Sequence, residues 1–88
     1  MTADTDYMTL ALEQARRARG AGEVPVGAVL VQGERVIATG ANRPISACDP
    51  TAHAEIEALR AGARSLGSYR LADTVLYEMH VKGFSKLN

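Results

Sequence analysis

The stretch Val24-Pro25-Val26-Gly27-Ala28-Val29-Leu30-Val31 decides the fold that we expect for this chain. The run is short, almost continuously apolar and rich in β-branched residues, a pattern typical of a strand that is buried on both faces. The polar residues 32–35 that follow it indicate a turn, and residues 36–40 are predicted to pair back as the second strand of a hairpin. The centre of the chain is therefore predicted to be a β-hairpin whose first strand is buried.

Two segments with helical periodicity flank this hairpin. The first follows N-cap candidates in residues 4–6 and is ended by Gly20 and Gly22. The second is predicted to begin at Asp49 and Pro50, because aspartate caps free N–H groups and proline is tolerated at the first helical position. Its apolar stripe lies at helical spacing and consists of Ile56, Leu59, Ala63 and Leu66.

The remaining segments complete an α/β pattern. Residues 42–48 have no period and are predicted to be a loop, whereas residues 71–77 are predicted to be a third strand. The order helix, strand, strand, helix, strand predicts an α/β fold, and its strand-helix-strand crossover implies a parallel neighbour. We assign residues 1–77 to one domain portion and residues 78–88, which have no clear period, to a divergent tail.

Composition limits the classes of protein to which the chain can belong. Eighty-eight residues suffice for one small domain, and the single cysteine, Cys48, excludes an internal disulfide. Ten basic and ten acidic side chains cancel, so any nucleic-acid contact must be local. The acidic N-terminus lacks the apolar core of a secretory signal, and no apolar run approaches the roughly 20 residues of a membrane span. We therefore expect a cytoplasmic protein.

The residues His53 and Glu55 carry the chemistry that the sequence suggests. The predicted helix places His53 one turn inside its N-terminal end, and both side chains should lean toward that end. A neutral imidazole is a good zinc ligand, zinc lowers the pKa of bound water to about 7, and a neighbouring carboxylate can carry the proton. A surface histidine near a helix start is the ordinary alternative, since so short a motif often matches by chance.

A longer resemblance extends this motif. The chain resembles the bacterial tRNA adenosine deaminases, a family of the cytidine-deaminase-like zinc superfamily, from about Tyr7 to Tyr77. The resemblance implies a cytidine-deaminase-like three-layer α/β/α core. It also implies hydrolytic conversion of the wobble adenosine of a tRNA anticodon loop to inosine, with zinc as cofactor. It is carried by residues 23–31, 42–45, 49–56 and 69–71.

The resemblance also assigns roles to individual residues. His53 corresponds to the zinc-binding histidine, Glu55 to the proton-shuttling glutamate, and Asn42 to a residue that contacts the flipped purine. Because the family commonly dimerises, it further implies a homodimer or a pairing with a full-length deaminase.

The sequence departs from the family after Tyr77. Lys82, Gly83 and Lys86 stand where the family has the proline and the two cysteines of Pro-Cys-x-x-Cys, which supply zinc thiolates. We therefore expect a core truncated after the third strand, inactive as a single chain, with an unpaired edge and exposed side chains of the kind of Val29, Leu71 or Val75. Nothing in the spacing specifies a substitute zinc site, although the set Cys48, His53 and His80 is chemically admissible.

Two further hypotheses remain open. The chain could be a non-catalytic interaction module that pairs with a full-length deaminase, or a gene remnant without a function. Loss of the thiolates with retention of Glu55 favours a recent truncation over an evolved non-catalytic homologue.

Overall fold

The computed structural model describes residues 4–81 and shows two long helices, one short helix and three strands. In chain order these are α1 (Asp4–Gly20), β1 (Val26–Gln32), β2 (Arg35–Ala41), α2 (Pro44–Ala47), α3 (Ala54–Leu66) and β3 (Thr74–His80). None of the helices within this range is both long and apolar enough to cross a membrane. The positions at which the family motif is replaced, Lys82, Gly83 and Lys86, lie outside the described residues.

The three strands form one sheet in the order β2-β1-β3. β1 is antiparallel to both neighbours, so the predicted parallel neighbour is wrong. β3 does run parallel to β2, but the two strands are not neighbours. The crossover through α3 takes the chain across β1, and β3 pairs with the other edge of β1. The predicted hairpin of β1 and β2 is confirmed.

The sheet lies between two helices. α1 covers one face, where Tyr7 and Ala11 form a core cluster with Val29 and Val31. α3 covers the other face, where Ala54 and Ala58 pack with Val26 and Ala28. The expected α/β/α class is therefore confirmed, as is the burial of β1 on both faces.

Glycines in the strands let both helices approach closely. A Cβ atom on Gly27 would overlap the backbone of α1 at Ala11, and one on Gly40 would overlap the backbone of α3 at Ala54. The close approach of α3 to the sheet also determines which side of the helix is buried. The side that carries small residues can come nearest to the strands. The predicted apolar stripe of α3 is only half-buried, and the fully buried positions are Ala54, Ala58 and Gly62.

Several predicted boundaries and exposures are corrected. The segment predicted to be a loop contains the one-turn helix α2. β3 starts and ends three residues later than predicted and reaches His80, and the N–H of Val81 then donates to Pro25 O at 3.0 Å. Val29 is fully buried because α1 covers it, whereas Val75 is 52% exposed, as expected for a β3 side chain.

Candidate functional site at the start of α3

Helix α3 begins later than the sequence predicts, and the cause is a local turn. The Asp49 carboxylate accepts hydrogen bonds from the Thr51 N–H at 2.9 Å and the Thr51 hydroxyl at 2.8 Å. These bonds hold the pKa of Asp49 below its usual value. Aspartate therefore closes a turn two residues long instead of capping a helix. The helix starts at Ala54 with His53 as its N-cap, so the predicted position of His53 one turn inside the helix is wrong.

The side chain that caps the start of α3 is that of Asn42, not that of the N-cap residue His53. The Ala54 N–H donates a hydrogen bond of 2.7 Å to Asn42 Oδ1, while the His53 side chain makes no capping bond. The N–H of Asn42 donates to Val26 O at 3.1 Å, which fixes the amide at the end of β2. Since Oδ1 must face the N–H, the Asn42 amide nitrogen points elsewhere, and no residue from 4 to 81 accepts a hydrogen bond from it.

His53 is exposed and its ring is not used by the fold. Its backbone donates to Thr51 O and accepts from the Glu57 N–H, and its side chain has no partner within the described chain. Asn42 accepts its hydrogen bond from Ala54, the residue between His53 and Glu55. This one short hydrogen bond therefore holds Asn42 near both residues at the start of α3. The imidazole is therefore free to contact a ligand there.

Glu55 lies beside β3. The carboxyl group of Glu78 is close enough to interact with it, and the pKa of Glu78 is raised, first by loss of water around its carboxyl and then by the Glu55 charge. His80 acts on Glu78 in the opposite direction. The carboxylate that the family resemblance predicts to be a proton carrier thus lies near a second carboxyl group whose pKa is raised.

The side chains near His53 do not fit a zinc site. Among residues 4–81 no three histidine, cysteine, aspartate or glutamate side chains come together closely enough to hold a metal ion. The whole sequence has two histidines and one cysteine, and the set Cys48, His53 and His80 is not assembled. A catalytic zinc needs three protein ligands, and residues 4–81 do not bring such a set together.

A buried carboxylate fixes the segment between β2 and α3. Glu23 is 2% exposed and accepts hydrogen bonds from the Ile45 N–H, the Ser46 N–H and the Ser46 hydroxyl. Burial raises the pKa of Glu23, but the bonds from Ser46 and Ile45 and the charge of Arg43 outweigh it, so the net pKa is lowered. Glu23 therefore remains ionised and ties α2 to the end of α1.

Sequence reasoning predicted Asn42, His53 and Glu55 as site residues, and the structure places them at the start of α3. It did not single out Glu23 or Glu78. A lone charged residue directly before a buried apolar strand was the available signal for Glu23, since charges at such positions are rarely buried without partners. Glu78 had no such signal, because the resemblance from which the site residues were predicted ends at Tyr77.

Asn42, His53 and Glu55 thus lie at one helix start within an α/β/α layer. The family model for the cytidine and deoxycytidylate deaminase zinc-binding region matches residues 1–81. The chain belongs to this family.

Individual relatives are adenosine and guanine deaminases. The chain is 51% identical over 74 residues to a tRNA-specific adenosine deaminase of Buchnera aphidicola subsp. Schizaphis graminum, covering 84% of this chain and 49% of that protein. It is 43% identical over 70 residues to a guanine deaminase of Bacillus subtilis, covering 80% and 43%. The chain thus spans about half the length of the curated relatives that it matches.

Solved structures agree with the fold. A structure from work on A-to-I editing by tRNA:A34 deaminases matches with a TM-score of 0.83 and 48% identity, covering 85% of this chain and 58% of that one. The guanine deaminase from Bacillus subtilis matches with a TM-score of 0.82 and 37% identity, covering 88% and 50%.

Proposed function

We propose that this chain forms the substrate-positioning and proton-transferring part of a tRNA adenosine deaminase site, and that it does not deaminate as an isolated chain. The observation that carries the proposal is the hydrogen bond from the Ala54 N–H to Asn42 Oδ1, which gathers Asn42, His53 and Glu55. The similarity to tRNA-specific adenosine deaminases supports the choice of substrate.

Each residue has a defined part in the proposal. The Asn42 amide nitrogen donates a hydrogen bond to a ring nitrogen of the purine, since Oδ1 is already occupied. Glu55 moves the proton, because deamination adds water at C6 of adenosine and releases ammonia to leave inosine.

Residues 4–81 do not bring together a set of metal ligands that could activate water. In the family, zinc supplies that activation. The metal ligand at the helix start here is one imidazole, and Cys48 is the only cysteine of the sequence. The proposal therefore separates binding from turnover: purine positioning is present, whereas hydrolysis requires donor groups from outside this chain.

Two variants of Asn42 test the positioning role. Asn42→Asp keeps an oxygen for the Ala54 N–H but removes the amide donor, whereas Asn42→Ala removes both. We expect adenosine to shift the amide resonances around Asn42 and Ala54 in the wild-type NMR spectrum, and the Asp variant, still folded, to lose the response. An unchanged response in the Asp variant would refute the assignment.

A turnover assay tests the second half of the proposal. We expect no inosine in an anticodon stem-loop RNA after incubation with the wild-type chain and added zinc. Inosine formation that disappears in Glu55→Gln would show that the chain is an enzyme by itself.

A non-catalytic pairing role is favoured by a different observation. Val75 and Leu76 of β3 are 52% and 37% exposed, and within the described chain β3 pairs only with β1. An edge strand with exposed apolar side chains is a surface that another chain can cover. A full-length deaminase is the proposed partner, in the cytoplasm, and co-elution of the two chains would support this role.

A further inference from the structure

A groove that Asn42 lines extends away from His53 and Glu55, which are not among its lining residues. It follows the outer edge of β2 between α1 and α3, with a volume of about 420 Å³. Residues 39–43 form its floor, Arg17 of α1 lies on one wall and Arg64 of α3 on the other. We call this trough the edge groove.

The walls of the edge groove carry arginines without a counterion. Arg17 and Arg64 are exposed, and neither forms an ion pair with any residue from 4 to 81. A planar guanidinium offers a fork of N–H donors that fits a phosphate group. Arg17 and Arg64 both line the groove, so both are available to contact an anion that lies in it.

The acidic residues at the groove are already engaged. Glu57 forms ion pairs with Arg43 at 3.9 Å and with Arg60 at 3.8 Å. The Glu23 carboxylate is buried and accepts hydrogen bonds from Ser46 and from the Ile45 N–H. Neither carboxylate is directed at Arg17 or Arg64, so the charge that the groove presents to solvent is positive.

The lining favours a phosphodiester strand over an acidic peptide. The apolar residues in the groove are all small, namely Ala18, Ala21, Ala41 and Ala61. Peptide recognition depends on pockets for large anchor side chains, whereas phosphate contacts need only positioned donors. The edge groove has the donors and lacks the anchor pockets.

Asn42 connects the edge groove to the candidate site. Asn42 lines the edge groove and also caps α3 beside His53. A strand lying in the groove would therefore reach the same asparagine to which the proposed function assigns the target purine.

We propose that the edge groove holds the phosphodiester backbone of an RNA strand, with Arg17 and Arg64 contacting phosphates next to the nucleotide presented to Asn42. The inference rests on the proposed function for the identity of the nucleic acid as RNA. It requires neither turnover nor bound zinc.

The test is binding of a fluorescent anticodon stem-loop RNA to the full chain, followed by anisotropy at several salt concentrations. The double variant Arg17→Gln with Arg64→Gln is compared with Arg16→Gln plus Arg35→Gln, which removes the same charge from exposed arginines outside the groove. We expect the groove variant to lose roughly tenfold in affinity and about one unit of salt slope per phosphate contact. The control should retain nearly wild-type binding.

Three results would overturn the proposal. One is equal loss of affinity in the two double variants, and another is wild-type affinity in the groove variant. The third is displacement of the RNA by a polyglutamate peptide at lower concentration than by unlabelled RNA, which would assign the groove to acidic peptides. Arg64→Gln alone, with half the charge change, provides the comparison if the double variant fails to fold.

The outcome is separable from that of the proposed function. RNA binding that depends on Arg17 and Arg64 but not on Asn42, with no adenosine response, would support the groove and contradict the purine role. An adenosine response without RNA binding would support the purine role and contradict the groove.

Discussion

The two flanks of β1 differ in how completely they are built. On the β2 flank, Gly40 admits the backbone of α3 and Asn42 joins the strand end to the helix start. On the β3 flank, Val75 and Leu76 remain partly exposed and β1 is the only pairing partner of β3 among residues 4–81. One flank positions a candidate site, and the other presents an uncovered edge. Among the described residues, close packing therefore supports the candidate site on the β2 flank only.

The largest effect is expected from Gly40→Ala. The new methyl group would meet the backbone of α3 at Ala54 and Ala58, so the helix must move and the free energy of unfolding should fall by about 3 kcal/mol. Urea unfolding measures this, and Gly20→Ala, where nothing lies within 4 Å, is the control. A Gly40→Ala protein as stable as the control would mean that α3 is not held closely against β2.

Asn42→Ala should have the next largest effect. It removes the acceptor for the buried Ala54 N–H, and loss of an N-cap together with an unpaired buried donor costs about 1–3 kcal/mol. Asn42→Asp keeps an acceptor and should remain close to wild type in the same urea titration. If both variants lose equal stability, the amide nitrogen rather than Oδ1 supports the fold.

Glu23→Gln tests the carboxylate that holds α2. Its amide would face the Ser46 and Ile45 N–H groups, so we expect a loss of about 1.5–3 kcal/mol at pH 7. Because the pKa of Glu23 is lowered by folding, its contribution is present above the unfolded-state pKa and disappears as pH falls through the folded-state pKa. The stability difference between wild type and variant should therefore shrink on acidification. A difference that stays constant down to pH 3, or grows, would contradict this.

The smallest effect on stability is expected at the open flank. Leu76→Lys places a charge on a strand that β1 pairs on one side only, and the free energy of unfolding should change by about 0.5 kcal/mol or less. Self-association measured by light scattering should decrease, since an edge lysine opposes strand pairing. A large loss of stability would instead show that another chain covers Leu76.

The sequence predicted the parts of the fold that depend on local patterns. The apolar run of β1, its hairpin and the position of α1 follow from periodicity and β-propensity, and the α/β/α class and the site residues came with the family resemblance. The start of α3 was predicted wrongly because Asp49 and Pro50 are equally good turn residues. In the structure Asp49 forms hydrogen bonds of a turn with Thr51 instead of capping a helix.

The remaining errors come from tertiary contacts. Which face of α3 is buried depends on how near the helix can come, and that distance is set by Gly40 and Gly62 in contact with other elements. The pairing of β3 depends on which strand it lies beside after the crossover, and no local sequence pattern specifies that strand. Neither property is encoded within a single segment of the chain.

The most direct test of a half-site without its metal donors is the zinc content of the purified monomeric chain, measured by elemental analysis. With one imidazole at the start of α3 and no cluster of ligands among residues 4–81, we expect far less than one zinc per chain. One zinc per chain, lost in His53→Ala, would contradict the account and show that this chain assembles a metal centre by itself.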